Sequence, residues 1–168
     1  MQFRKAKPEH LQKIKEIAEK AMKRCREYNI GQPFPKIDSI ENTIIYWNMV
    51  NWKISGFYAY QVLPGEVAGE DILHITCLCV KPDSQNFGYG KKLLAHAVLT
   101  AYKEHCTYVR VSITPDNKPA GRILQKNGFE IVERTNTQDS KQPYLLIFER
   151  KVEETVTNLA KLQFQKKS

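Results

Sequence analysis

The stretch His74–His105, HITCLCVKPDSQNFGYGKKLLAHAVLTAYKEH, admits few folds. An apolar strand passes through a turn and a loop with two glycines into a long helix, and that order of elements is how a chain builds a cradle for an anion. Gly88 and Gly90 lack a Cβ, so the backbone can turn tightly with several N–H groups facing one point. Those amides open a helix that begins near Tyr89, where unpaired donors and the positive end of the helix dipole favour a phosphate. The dipole contributes roughly 0.3–1 kcal/mol to one such anion, and direct amide contacts add to it. The plain alternative is an ordinary strand-to-helix turn, because short glycine patterns recur by chance.

At 168 residues the chain suits one domain, which buries on the order of 70% of its unfolded surface and needs no disulfide staples. The domain is expected over 1–150, followed by a C-terminal extension over 151–168 that is helical and then frayed. Cys25, Cys77, Cys79 and Cys106 show no CxxC spacing. Cys77 and Cys79, two apart on a strand, share a face and read as core residues, so no metal is expected. The N-terminal segment MQFRKAKPEH has no apolar h-region, and no apolar run reaches membrane-spanning length. The expected location is the cytoplasm.

A formal charge of +8 raises the question of a polyanionic partner. Much of the excess lies in one predicted helix and its approach, where Lys13, Lys15, Lys20, Lys23, Arg24 and Arg26 alternate with Glu16, Glu19 and Glu27. Mixed signs on a helix mark a solvated face, and no aromatic ladder accompanies them. Nucleic acid is therefore disfavoured as a partner, and part of the basicity can serve an acidic ligand.

Taken in order, Met1–Ala6 reads as a short strand, and Leu11, Ile14, Ala18, Ala21 and Cys25 recur at helical spacing, widened by Ile17 and Met22. Tyr28–Lys36, with Gly31, Pro33 and Pro35, is a loop, and Asp38-Ser-Ile-Glu41 has the form of a capping box for a short second helix. Thr43–Met49 and Lys53–Val62 form a hairpin, and Asp71–Val80 is a central strand buried on both faces. Leu93, Leu94, Ala97, Val98 and Ala101 stripe the long helix. Tyr108–Thr114 is a strand, Asn117–Lys126 a helix stopped by Gly128, and Phe129–Glu133 and Tyr144–Glu149 are two more strands. Alternating strands and helices with hairpins at both ends imply an α/β fold of the α+β kind, a mixed and mostly antiparallel sheet flanked by helices.

The loop spacing fits neither the P-loop nor the dinucleotide fingerprint. Gln85-Asn-Phe-Gly88-Tyr-Gly90 has the pattern Gln/Arg-x-x-Gly-x-Gly/Ala, which resembles the acyl-CoA pyrophosphate loop of the GNAT superfamily of N-acetyltransferases. Downstream, Asn117-Lys-Pro-Ala120-Gly-Arg-Ile-Leu-Gln-Lys126-Asn-Gly128-Phe129 resembles the family's Asn-x-x-Ala helix ending in Gly-Phe. The resemblance covers roughly residues 1–150 and implies the GNAT fold, with acetyl-CoA as acyl donor. It further implies that Gln85, Asn86, Phe87, Gly88, Tyr89, Gly90 and Lys91 surround the phosphates. The pantetheine arm would run along Leu78, Cys79 and Val80, where the family's fourth and fifth strands splay apart, with Asn117 near its end. A backbone amide near Val80 would polarise the thioester carbonyl. Tyr28, Phe34 and Tyr46 become candidate acceptor contacts by the same resemblance; the alternative is that these aromatics only pack.

An amine near pKa 10.4 costs roughly 4–5 kcal/mol to deprotonate at pH 7, so a base is useful. His74 is the best-placed candidate, sharing simple strand parity with Thr76, Leu78 and Val80, with an ordinary pKa suited to the task. It also falls where some histone-type relatives carry a catalytic Glu. The alternative is a core or edge histidine; Glu70 and Asp71 are fallback bases through water. Many relatives place a Tyr four residues before the helix-ending Gly as general acid, and this chain has Leu124 there. Tyr89, Tyr108 and Tyr144 are left unranked as substitutes. The leading reading is transfer of acetyl from acetyl-CoA to a primary amine by direct attack in a ternary complex. The alternatives are an acyl-CoA-binding regulatory module without transfer activity and a basic nucleic-acid-associated protein. Expected partners are a small-molecule or peptide amine and a second copy in a homodimer, with no membrane.

Overall fold

A computed structural model of the chain describes residues 2–82, 88–136 and 144–152. Seven strands form one sheet: β1 (Phe3–Lys5), β2 (Thr43–Asn48), β3 (Lys53–Leu63), β4 (Ile72–Val80), β5 (Tyr108–Ile113), β6 (Glu130–Asn136) and β7 (Tyr144–Lys151). Their spatial order is β1-β2-β3-β4-β5-β7-β6. Among the described residues three α-helices accompany them, α1 (Leu11–Glu27), α2 (Tyr89–Lys103) and α3 (Lys118–Lys126). Neighbouring strands run antiparallel except β4 and β5, which are parallel and joined by the crossover helix α2 that such a pair requires. The mixed, mostly antiparallel α/β sheet implied by the sequence is the observed fold.

The two faces of the sheet carry separate cores. Helix α2 lays Leu93, Leu94, Ala97, Val98 and Ala101 against Tyr58, Tyr60, Leu73, Ile75 and Val109. On the opposite face, Ile14, Ile17 and Ala18 of α1 pack on Ile45, Ile54, Phe57, Cys77 and Cys79. β4 therefore feeds both cores, which is why it reads as a near-continuous apolar run. On the α2 face, the His96 ring stacks on Phe3 at 4.2 Å, and its Nδ1 lies 2.8 Å from the Tyr58 hydroxyl. The same hydroxyl lies 2.7 Å from Thr100 Oγ1.

Segment 38–41 is not helical, against the capping-box expectation. The Ser39 hydroxyl instead accepts the Glu41 N–H at 2.9 Å, a tight local turn, and Asn42 then takes a φ of +47° that no helix continues through. Ile37 and Ile40 pack against the α1-side core from this irregular strap. At α3 the predicted stop is observed: Gly128 has a φ of +82°, and the Phe129 N–H donates back to the Leu124 carbonyl at 3.0 Å. β7 runs to Lys151, one residue past the expected end of the domain, and the Val152 N–H donates to the Thr107 carbonyl at 2.8 Å. The expected helix beyond it falls at 153–168, outside the described residues. Among the described residues no helix is long and apolar enough to cross a membrane.

Tyr60 pairs with Ile75 but Ala59 pairs with Cys77, so Thr76 is an extra residue in β4, a β-bulge. Upstream of it Leu73 and Ile75 face α2; downstream the α2-facing positions are Leu78 and Val80. Simple alternation is broken between them.

Candidate active site

The parallel ladder between β4 and β5 begins at Ile72 with Tyr108 and ends at Ile75 with Val111. Past that point β4 stays paired with β3 as far as Val80 with Gly56, while β5 stays with β7 as far as Ile113 with Leu146. The strands separate where the bulge bends β4, and bending of this kind is what an inserted residue does. The gap widens into a cleft of about 950 Å³, within the range of small-molecule sites. Its walls are residues 75–80 of β4, residues 111–113 of β5, the start of α2, one side of α3, and Ala21, Arg24, Cys25 and Tyr28 from the end of α1.

Gly88 caps α2 with a φ of +76°, a left-handed conformation that glycine adopts without penalty. The first helical bond runs from the Lys92 N–H to the Gly88 carbonyl at 3.1 Å, so the Gly90 and Lys91 amides precede it and belong to the open end of the helix. A Cβ on Gly90 would meet only Val80 Cγ2, at 3.9 Å, and would project into space that now belongs to the cleft. Gly88, Tyr89, Gly90 and Lys91 all line the cleft, as do Leu78, Cys79, Val80 and Asn117. Gln85, Asn86 and Phe87 lie outside the described residues. The cleft is thus long, open along strand backbone, and bounded at one end by a helix N-terminus with basic Lys91. These features fit an elongated ligand with an anionic end.

Asn117 has two local duties. Its Oδ1 accepts the Ala120 N–H at 3.4 Å and caps α3, while its Nδ2 donates to Gln32 Oε1 at 3.1 Å. Gln32 Oε1 also accepts the Thr114 N–H at 3.0 Å, and Asp116 accepts the Gly31 N–H at 2.8 Å and the Thr114 hydroxyl. Gln32, Thr114, Asp116 and Asn117 therefore tie the loop after α1 to the β5–α3 turn. The sequence reading missed Gln32 and Asp116, because a pairing more than eighty residues apart leaves no local pattern.

The remaining expected residues divide. Tyr28, 64% exposed, and Phe34 line the cleft. Tyr46 does not: it is 3% exposed in the α2-side core, against Phe3 at 5.0 Å and Tyr89 at 5.0 Å, because strand β2 turns it away from the α1 face. It is a packing residue, which corrects its reading as an acceptor contact. Glu70 precedes β4 at the end away from the cleft, roughly 16 Å of strand from Ile75 at about 3.3 Å per residue, too far for a base at that mouth. His74 immediately precedes Ile75, the first β4 residue in the cleft wall. The parity expected for it is corrected by the bulge. His74 pairs with Gln61 and Arg110, on the face of Cys77 and Cys79 and opposite Leu78 and Val80. Burial lowers its pKa below 6.5, and the Arg110 guanidinium lowers it further. Arg110 is itself held by Glu149 Oε2, at 3.1 and 2.9 Å from its Nε and Nη2. Leu124 lines the cleft while 3% exposed in the α2-side core. Of the tyrosines left as proton donors, Tyr89 lines the cleft, and its hydroxyl accepts from Asn48 Nδ2 at 3.3 Å. Among the described residues no cluster of His, Cys, Asp or Glu suits a metal ion.

A splayed pair of parallel strands beside a glycine-capped helix defines the class of fold and bounds a cleft that fits an elongated, anion-ended ligand. Residues 11–129 match the acetyltransferase (GNAT) family, and the chain belongs to it. The ribosomal-protein-S18-alanine N-acetyltransferase from Escherichia coli superposes with a TM-score of 0.64 at 18% identity, over 90% of this chain and 93% of that one. A GNAT-family acetyltransferase from Listeria monocytogenes gives a TM-score of 0.71 at 11% identity, over 89% and 93%. N-acetylglutamate synthase from Neisseria gonorrhoeae, solved with coenzyme A and N-acetyl-glutamate, gives 0.66 at 20% identity, over 90% of this chain and 35% of that one. At these identities the likeness shows the fold. No curated protein sequence matches the chain significantly.

Proposed function

We propose that the protein transfers an acetyl group from acetyl-CoA to a primary amine on a small molecule or peptide, by direct attack in a ternary complex. The observation that carries this reading is the end of the β4–β5 ladder at Ile75 and Val111, opening a cleft next to the N-terminus of α2 in a GNAT-family chain. When bound, acetyl-CoA supplies an acyl group already activated as a thioester. The amides at Gly90 and Lys91 and the Lys91 side chain hold the pyrophosphate end. Leu78, Cys79 and Val80 line the arm, and Asn117, fixed by Ala120 and Gln32, borders its far end. Tyr28 and Phe34 shape the acceptor side. His74, kept neutral by burial, takes the proton of the amine directly or through a water it orients. A thiolate is a tolerable leaving group, so Leu124 in place of a proton donor is compatible with turnover.

An acceptor screen read as free thiol released from acetyl-CoA tests the activity. If no amine in a broad panel supports turnover by protein that binds acetyl-CoA, a binding module is favoured instead. The cradle has its own test, calorimetry on Gly90→Val. Gly90 has an ordinary backbone conformation and a Cβ there clashes with nothing, so the variant is expected to fold. Its side chain occupies the approach to the amides, and acetyl-CoA affinity should fall tenfold or more. Unchanged affinity in the folded variant would remove the phosphate assignment. Gly88→Val is the poorer probe, because its φ of +76° strains any L side chain regardless of ligand.

A further inference from the structure

The mechanism above makes no use of the thiols in the cleft wall. We propose that Cys77 is an acyl-accepting nucleophile: when no amine is present its sulfur takes the acetyl group from acetyl-CoA, assisted by the Cys79 thiol. This inference rests on acetyl-CoA being the ligand of the cleft.

Three observations lead to it. Cys77 and Cys79 both line the cleft, from the same face of β4, in register with Ala59 and Phe57. Cys77 is the first residue after the bulge and two beyond Ile75, so it sits where the strands part. Its Sγ lies 3.6 Å from Cys79 Sγ, hydrogen-bond distance for two thiols. Either thiol can donate in that bond; with Cys79 as donor it stabilises a thiolate on Cys77, which at 7% exposure against 3% is the more accessible of the two. Cys77 is buried in the protein yet borders the cleft, so the cleft is the route by which an electrophile reaches it.

The chemistry favours a thiol over an amine as first acceptor. An ordinary thiol near pKa 8.5 keeps a few per cent of thiolate at neutral pH, far more than the neutral fraction of an alkyl amine near 10.4. In the step, the bond between Cys77 sulfur and the acyl carbon forms and the bond between that carbon and the coenzyme sulfur breaks. The proton lost by Cys77 ends on the coenzyme thiolate. One thioester replaces another, so the exchange lies near balance and excess acetyl-CoA drives it forward. No oxidant or further reactant is needed.

The test incubates the full chain with excess acetyl-CoA and no amine. The expected result is one acetyl group gained by intact mass, with about one equivalent of coenzyme thiol released. Neutral hydroxylamine should remove the label, as it does for thioesters, and fragmentation should place it on Cys77. Cys77→Ala should abolish the gain and Cys79→Ala should slow it about tenfold. Mapping on the parent protein keeps the test independent of whether either variant folds. No gain in mass from protein that binds acetyl-CoA calorimetrically overturns the proposal, and so does a hydroxylamine-stable label or one on Cys25. Absence of acetyl-CoA binding overturns the functional reading itself, and this inference with it.

Discussion

Replacing His74 by alanine is expected to lower acetyl transfer by roughly 10²–10⁴-fold while acetyl-CoA affinity changes little, the usual range for loss of a proton-transfer group. The asymmetry follows from placement: His74 lies one residue before the cleft wall, and the residues assigned to the donor lie beyond it. Its surroundings are Gln61 from β3, Arg110 from β5 and, across Arg110, Glu149 from β7. Burial and the Arg110 charge both favour the neutral ring, so the base is ready at pH 7. Activity of the parent should be flat through neutrality and fall as pH drops through an apparent pKa below 6.5. In the variant that acidic limb should vanish. A mutant of near-parental rate with the same limb would make His74 structural. Glu70 would not replace it, since it lies at the far end of the strand.

A second large effect is expected on stability. His96 is pushed down to about 4 by burial, with Lys103 contributing, whereas in the unfolded chain a histidine titrates near 6.5. Between those values the unfolded chain binds the additional proton, so stability rises with pH across that window. Acidification from 6.5 towards 4 should therefore remove stability, about 3 kcal/mol in full at 1.36 kcal/mol per unit, with no further loss from this group below 4. The imidazolium is penalised on the Phe3 face and beside Tyr58 and Thr100, none of which offers a carboxylate. Urea unfolding of the parent and of His96→Gln at pH 7 and pH 4.5 measures the effect. A parent whose loss matches that of the variant would show that His96 takes up its proton without resistance.

The ladder of elements was legible because each carries a local signature: apolar stripes at helical spacing on α1 and α2, an apolar run for β4, and Asn117 and Gly128 at the two ends of α3. The glycine cap at Gly88 and the Asn-x-x-Ala helix were legible for the same reason. What escaped were features set by pairing at a distance. Thr76 looks like any strand residue, and only the register against Ala59 and Tyr60 reveals it as an extra one, so parity counted through it put His74 on the wrong face. Tyr46 is chemically as apt an acceptor contact as Tyr28; which core it enters depends on how β2 aligns with β3. Gln32 and Asp116 meet through a long-range fold that no window of sequence contains.

The bulge at Thr76 also makes the cleft a matter of chain length more than of side-chain identity. Removing Thr76 would set Ile75 against Tyr60 and Cys77 against Ala59 in unbroken alternation, and each β4 side chain would keep the face it now has. Both cores could survive the deletion intact. A straightened β4 would be free to stay paired with β5 past Val111, and the opening between them would close. A one-residue deletion is therefore expected to yield a folded protein that no longer binds acetyl-CoA, whereas point substitutions at Thr76 leave the count, and the opening, as they are. Among chains of this fold, gaps and insertions in the alignment of this strand carry more information about the presence of a donor site than the amino acid found there.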